Sequence, residues 1–149
     1  NIALFQPDIP QNTAAIVRLG ACFRLKIHII QPCGFNLNDS RFKRVAMDYL
    51  NLSRIYSYQD YSKFKKKNSK ARIILITTKG SKEYNKFKFK KNDILLFGRE
   101  SGGVPIEIHQ EIKNRLKIPM QKKTRSLNLA MAVAIVSSEA LRQNNFLIR

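Results

Sequence analysis

The stretch Ile94-Leu95-Leu96-Phe97-Gly98-Arg99-Glu100-Ser101-Gly102-Gly103-Val104-Pro105 contains a strand, a glycine-rich turn and a helix start in direct succession. An unbroken apolar run of this length marks a strand covered on both faces, as in a parallel sheet, where neither face meets water. Glycine lets the backbone turn sharply and come close to a ligand. Proline fixes its φ near the helical value and suits a helix start, which places Pro105 at the head of the next helix. Open α/β sheets hold their ligand loops in such strand-to-helix turns. Gly98 and Gly103 have the spacing of a phosphate loop, but Val104-Pro105 replace the required Lys and Ser/Thr, and no G-x-G-x-x-G dinucleotide fingerprint occurs. A glycine-rich turn alone fits a structural role as well as a binding one.

Working outward, Ile2–Phe5, Ile27–Ile30, Arg54–Tyr56, Ile73–Thr77 and Leu116–Ile118 also read as strands, several of them nearly continuous apolar runs. Helices are expected from Thr13, Ser40, Asp60 and Pro105, with the longest starting after Ser126 and running to about Asn144. Asn12 and Ser126 stand where a side-chain oxygen caps a helix N-terminus. The alternation predicts an α/β fold, a parallel sheet with helices on both faces. The chain has 149 residues, 44% of them hydrophobic, without repeats or a linker, so residues 1–149 read as a single domain.

Charge is the strongest bulk feature. There are 28 Lys+Arg against 10 Asp+Glu, a formal net charge of +18, which attracts polyanions. Much of it lies between Lys63 and Lys91 (Lys63, Lys65, Lys66, Lys67, Lys70, Arg72, Lys79, Lys82, Lys86, Lys88, Lys90, Lys91), interleaved with Phe64, Tyr84, Phe87 and Phe89. Two readings stand. One is a solvated face whose aromatics point inward, in a composition rich in lysine, asparagine and isoleucine together. The other is an electrostatic footprint for an RNA backbone. No apolar run approaches the ~20 residues needed to span a bilayer. The chain begins at Asn1 with no methionine or signal-peptide pattern, so the natural start is expected upstream and the cytosol is the default compartment. Cys22, Cys33, His28 and His109 lack metal-ligand spacing, and no metal is expected.

Two further segments carry polar groups in apolar settings. In Ile118-Pro119-Met120-Gln121-Lys122-Lys123-Thr124-Arg125-Ser126-Leu127-Asn128-Leu129-Ala130, a strand ends, a basic loop follows and a helix begins with Asn128 on its first turn. A buried amide there requires hydrogen-bond partners. In Asn12-Thr13-Ala14-Ala15-Ile16-Val17-Arg18-Leu19, Arg18 is the lone charge from Thr13 to Phe23. A guanidinium there needs a partner or a rim position from which it can reach water.

Taken together, the three segments resemble the SPOUT superfamily of RNA 2′-O-methyltransferases, specifically its TrmL-like branch, which modifies the wobble nucleotide of tRNA. Asn12-Thr13 through Arg18 resembles the first motif, Phe97 through Pro105 the second (F-G-x-E-x-x-G-x-P), and Ile118 through Ala130 the third. Pro7-x-x-Pro10-x-Asn12-Thr13 and Leu75-Ile76-Thr77-Thr78-Lys79-Gly80 resemble that branch as well. The chain departs at Phe23-Arg24, where relatives commonly have a Thr-Gly turn, and at Ser138, where close relatives often carry tyrosine.

The resemblance implies a parallel sheet with a C-terminal trefoil knot and S-adenosyl-L-methionine bent within it. The matching cofactor positions are Ile76, Gly98, Ile118 and Ser126, with Gly103, Met120 and Leu127 adjacent. It also implies a homodimer whose active site forms where two knotted regions meet, and tRNA methylated at position 34, cytidine or uridine. Arg18 would stabilise the developing 2′-oxyanion, since a guanidinium with a pKa above ~12 is a poor literal base. Asn12, Glu100 and Asn128 would orient Arg18, substrate and loop. The alternatives are 2′-O-methylation of another RNA, such as rRNA, and a non-catalytic RNA-binding protein on the same scaffold.

Overall fold

The computed structural model describes residues 1–145. Seven strands, all parallel, form one sheet: β1 (Ile2–Phe5), β2 (Lys26–Ile30), β3 (Arg54–Tyr58), β4 (Ile73–Ile76), β5 (Lys82–Glu83), β6 (Ile94–Phe97) and β7 (Asn114–Lys117), in the spatial order β3-β2-β1-β6-β4-β7-β5. The helices are α1 (Pro10–Cys22), α2 (Ser40–Leu50), α3 (Tyr61–Lys67), α4 (Ile106–Glu111) and α5 (Leu129–Gln143).

The continuous apolar strands behave as their sequences require. Side chains alternate across a strand, so one face of the sheet presents Ile2, Leu4, Ile27, Ile29, Ile74, Ile76, Leu95, Phe97 and Leu116. These pack against Ile16 of α1 and Leu129, Val133 and Val136 of α5. The opposite face presents Ala3, Phe5, Ile30, Leu75, Ile94 and Leu96 to Phe64 of α3, Ile108 of α4 and Ile112 just beyond it. Each fully buried Leu, Ile or Phe contributes about 1.5–3 kcal/mol relative to exposure. Helix α2 packs on α1 through Phe42 and Ala46. The expectation of a parallel sheet with helices on both faces therefore holds.

The two expected caps do not. Helix α1 begins earlier, with Pro10 in its first turn and Ile9 at the N-cap position without a side-chain cap, and Asn12 lies inside the helix. In α5 the cap is Asn128, whose Oδ1 accepts from the N–H groups of Ala130 and Met131, and Ser126 lies outside the helix. Pro105 precedes α4 as its N-cap residue. The C-terminus of α1 explains the departure at Phe23-Arg24. Arg24 takes φ +53, the N–H of Leu25 donates to Gly20 O and that of Arg24 to Ala21 O. This is a left-handed helix stop of the kind glycine usually makes, here formed by an arginine.

The strand order has one consequence for the site. β7 lies between β4 and β5, so the connection from β4 to β5 passes across β7. The crossing is at Gly80, where an added Cβ would overlap the Leu116 backbone. Thr77 N–H donates to Leu116 O and Ser81 N–H to Arg115 O, fastening the turn to the strand it crosses.

Candidate active site

The carboxyl ends of β4, β6 and β7 open into a cavity of about 630 Å³, within the range of small-molecule sites. Its walls come from the turn after β4, the glycine-rich loop after β6, residues after β7 and the start of α5. Every expected cofactor position lines it: Ile76, Gly98, Gly103, Ile118, Met120, Ser126 and Leu127. So do Asn12, Glu100 and Asn128. These ten residues come from four separate stretches of chain.

The polar residues form a row. Glu100 Oε2 accepts from the N–H of Asp8 at 2.8 Å, and Oε1 from Asn12 Nδ2 at 3.0 Å and the N–H of Ile9 at 3.4 Å. Asn12 Oδ1 in turn accepts from Asn128 Nδ2 at 2.9 Å, and Asn128 Oδ1 caps α5. The row ties the loop after β6 to the start of α1 and on to α5. It explains why Asn12 is not a cap: the two ends of its amide bind partners 88 and 116 residues away in sequence. Asp8 answers in the other direction, accepting from the N–H of Ser101 at 2.9 Å. The Ser101 hydrogen bonding, and to a lesser degree the Arg99 charge, hold the Asp8 carboxyl below its ordinary value.

The glycines of the loop differ in kind. A Cβ at Gly98 would lie 2.5 Å from the Gly103 backbone, so Gly98 is required by the loop's return against its own strand end. The paired N–H to C=O bonds between Arg99 and Gly103 close that return. Gly103 has φ +69 with open space where a Cβ would project, so backbone conformation alone calls for glycine there. Gly98 therefore lines the cavity and also meets a requirement internal to the loop.

Arg18 is not brought to this cavity. It is exposed on α1, its guanidinium carbon 4.9 Å from the centre of the Tyr49 ring. Conversely, the cavity contains residues the motifs did not single out: Lys79, Arg99 and His109. His109 sits one turn after Ile106, which also lines the cavity, a helical spacing that could have flagged it. Arg115 Nη1 donates to His109 O at 3.2 Å and lies 3.4 Å from Nδ1. Since arginine only donates, Nδ1 is the acceptor of that contact.

Cys22 and Cys33 are both free thiols. His28 is buried in an aromatic cluster, with Nδ1 2.9 Å from the Tyr58 hydroxyl, and burial pushes its pKa down to about 4. Among the described residues, no group of His, Cys, Asp and Glu could hold a metal ion, and no helix is long and apolar enough to cross a membrane.

Residues 1–138 match the model of the SpoU rRNA Methylase family. The chain is 45% identical over 145 residues to the tRNA (cytidine(34)-2'-O)-methyltransferase of Beijerinckia indica subsp. indica, covering 95% of this chain and 90% of that one. It superposes with a TM-score of 0.93 on a solved structure described as giving insights into the 2-OH methylation of C/U34 on tRNA, at 35% identity over 97% of this chain and 95% of the other. An AdoMet-bound rRNA methyltransferase from Sinorhizobium meliloti shares the fold, with a TM-score of 0.85 at 24% identity, over 95% of this chain and 55% of that one.

Proposed function

Since the chain belongs to the SpoU methylase family, we propose that it is a single-domain, S-adenosyl-L-methionine-dependent tRNA methyltransferase acting on the ribose 2′-hydroxyl of the wobble nucleotide, cytidine or uridine 34. The observation that carries this reading is the convergence of ten motif residues on one cavity in a chain 45% identical to a relative of that name. The cavity suits the cofactor. Its volume accommodates a nucleoside, Ile76, Ile118 and Leu127 offer apolar contact, and the loop backbone at Gly102 and Gly103 is bare of side chains.

The cofactor supplies a methyl group on a sulfonium, so that the ribose oxygen gains a methyl, loses its proton and leaves a neutral thioether. What the chain itself contributes is alignment and charge. Ile76, Gly98, Gly103, Ile118, Met120, Ser126 and Leu127 hold the donor. Asn12, Glu100 and Asn128 act as positioning residues. The Glu100 carboxylate accepts from two backbone N–H groups and one amide, which suits it to fixing the loops around the cavity.

Arg18 stabilises the developing oxyanion, and it does so in the cavity of a second copy. Its absence from its own cavity and its exposure support this reading. So does the surface around it. Helices α1 and α5 pack together, and α5 exposes Met131 (60%) and Ile135 (37%) one turn apart, with Leu127 (39%) at the cavity rim. An apolar stripe beside the reaction pocket fits a homodimer seam. The crossing at Gly80 supports a trefoil knot around β7, and the cytosol is the fitting compartment for a tRNA-modifying enzyme. The test is incubation of the chain with labelled S-adenosyl-L-methionine and bulk tRNA, followed by nucleoside mass spectrometry. The expected product is a 2′-O-methylpyrimidine, and a labelled base or the absence of label overturns the assignment.

A further inference from the structure

Arg99 occupies the variable position of the F-G-x-E segment and lines the reaction cavity, half-buried. Its backbone is engaged with Gly103 on both sides. Among the described residues its guanidinium has no hydrogen bond and no ion pair, whereas Arg72 is doubly bonded to Asp93 and Arg142 to Glu139. The carboxylate within electrostatic reach is Asp8, and its Oδ2 already accepts from the Ser101 N–H. A half-buried planar cation on a cavity wall, with its donors unengaged, calls for an anion from outside the chain.

The side of the cavity decides which anion. Asp8 belongs to the loop that leads into α1, and the neighbouring residue, Glu100, binds that same loop at Asp8, Ile9 and Asn12. It is the side on which Glu100 and Asn12, read here as positioning the substrate, meet. An RNA ribose brings a phosphate on either side of its hydroxyl.

We propose that Arg99 is a substrate-positioning residue that grips a phosphate flanking the methylated nucleotide. The inference rests on reading the cavity as a tRNA methyl-transfer site. The experiment compares wild type with Arg99→Gln and Arg99→Lys in the full chain. It measures S-adenosyl-L-methionine affinity by calorimetry, tRNA affinity as a function of salt, and steady-state methyl transfer.

Arg99→Gln should leave cofactor affinity unchanged and raise KM for tRNA on the order of tenfold, the loss of one charged hydrogen-bond set. The salt slope of tRNA binding should fall by about 0.7, the value for one single-strand phosphate contact. Arg99→Lys should restore the slope and only part of the KM, because it keeps the charge and loses the planar fork. A drop in cofactor affinity with an unchanged slope would overturn the proposal and assign Arg99 to the cofactor, and no change in any readout would overturn it outright. Absence of methyl transfer in wild type would instead defeat the functional reading, which keeps the two failures apart.

Discussion

The cavity at the carboxyl ends of β4, β6 and β7 and the lysine-rich stretch from α3 to the start of β6 differ in how their residues are employed. Around the cavity, three polar side chains, Glu100, Asn12 and Asn128, are bonded to one another and to backbone groups from separate stretches of chain. In the lysine-rich stretch the charges are many and mostly solvated. Lys63, Lys66, Lys67, Lys70, Lys88 and Lys90 are exposed, while Phe64, Phe87 and Phe89 point into the core. Lys65 pairs with Glu111 and Lys86 with Glu83, both pairs at the surface where such contacts contribute little. Charge count and ordered polar contacts thus lie apart: a +18 net charge attracts polyanions in general, whereas the Glu100-Asn12-Asn128 row fixes one cavity wall.

The strongest test of this division is Arg18→Ala. Arg18 is a single charge outside both regions, yet it should control the reaction through a second copy. At saturating cofactor and tRNA, the single-turnover rate should fall about a hundred- to a thousand-fold, the usual cost of one oxyanion-stabilising donor. Cofactor affinity should stay at the wild-type value. A near-normal rate would leave Arg18 a surface residue stacked on Tyr49.

A smaller effect should separate the two glycines of the cavity loop. Gly98→Val forces a side chain into the Gly103 backbone, an overpacking of about 1–3 kcal/mol, so cofactor binding should weaken on the order of tenfold. Gly103→Ala meets open space and bears only the left-handed backbone cost of about 1–2 kcal/mol. It should lower thermal stability more than cofactor affinity. Calorimetric titration beside melting curves checks both, and equal affinity losses would mean that the loop senses any added carbon alike.

The smallest effect is expected from Lys65, Lys66 and Lys67 changed together to Gln. They lie on α3, which packs on the other face of the sheet from α1 and α5. The salt slope of tRNA binding and the rate at saturating tRNA should both stay unchanged. A slope lower by about 0.7–0.9 per contact would join the two regions into one RNA surface.

What the sequence made legible follows from the range of the forces involved. β1, β2, β4 and β6 were readable because burial leaves a nearly continuous apolar run, whereas β3 and β7 are only partly buried and β7 starts at Asn114, two residues before the expected Leu116. β5 was not: Lys82-Glu83 has no apolar signal and is a strand only because β7 lies beside it. The helix starts misled because Asn12, Ser126 and Asn128 are all capping residue types, and the choice among them is made by long-range partners. The cavity lining was legible through motifs in local order. Arg99 was not, since a side chain's lack of partners is a three-dimensional fact, and His109 was offered only by its helical spacing from Ile106. Arg24 shows the converse: an arginine in a glycine's conformation gives no local signal.

The place of β7 between β4 and β5 also sets an order on synthesis. A nascent chain can pair β1, β2 and β3 once residue 58 has emerged, but both neighbours of β4, namely β6 and β7, are translated after it. At roughly 5–20 residues per second, Ile73–Ile76 waits about 1–4 s for β6, with both edges open. Open apolar edges invite pairing between chains, and lysines flanking such a strand oppose it by mutual repulsion. Lys63 to Lys70 precede that strand and Lys79 to Lys91 follow it, so the basic stretch flanks an apolar strand that must wait for both of its partners.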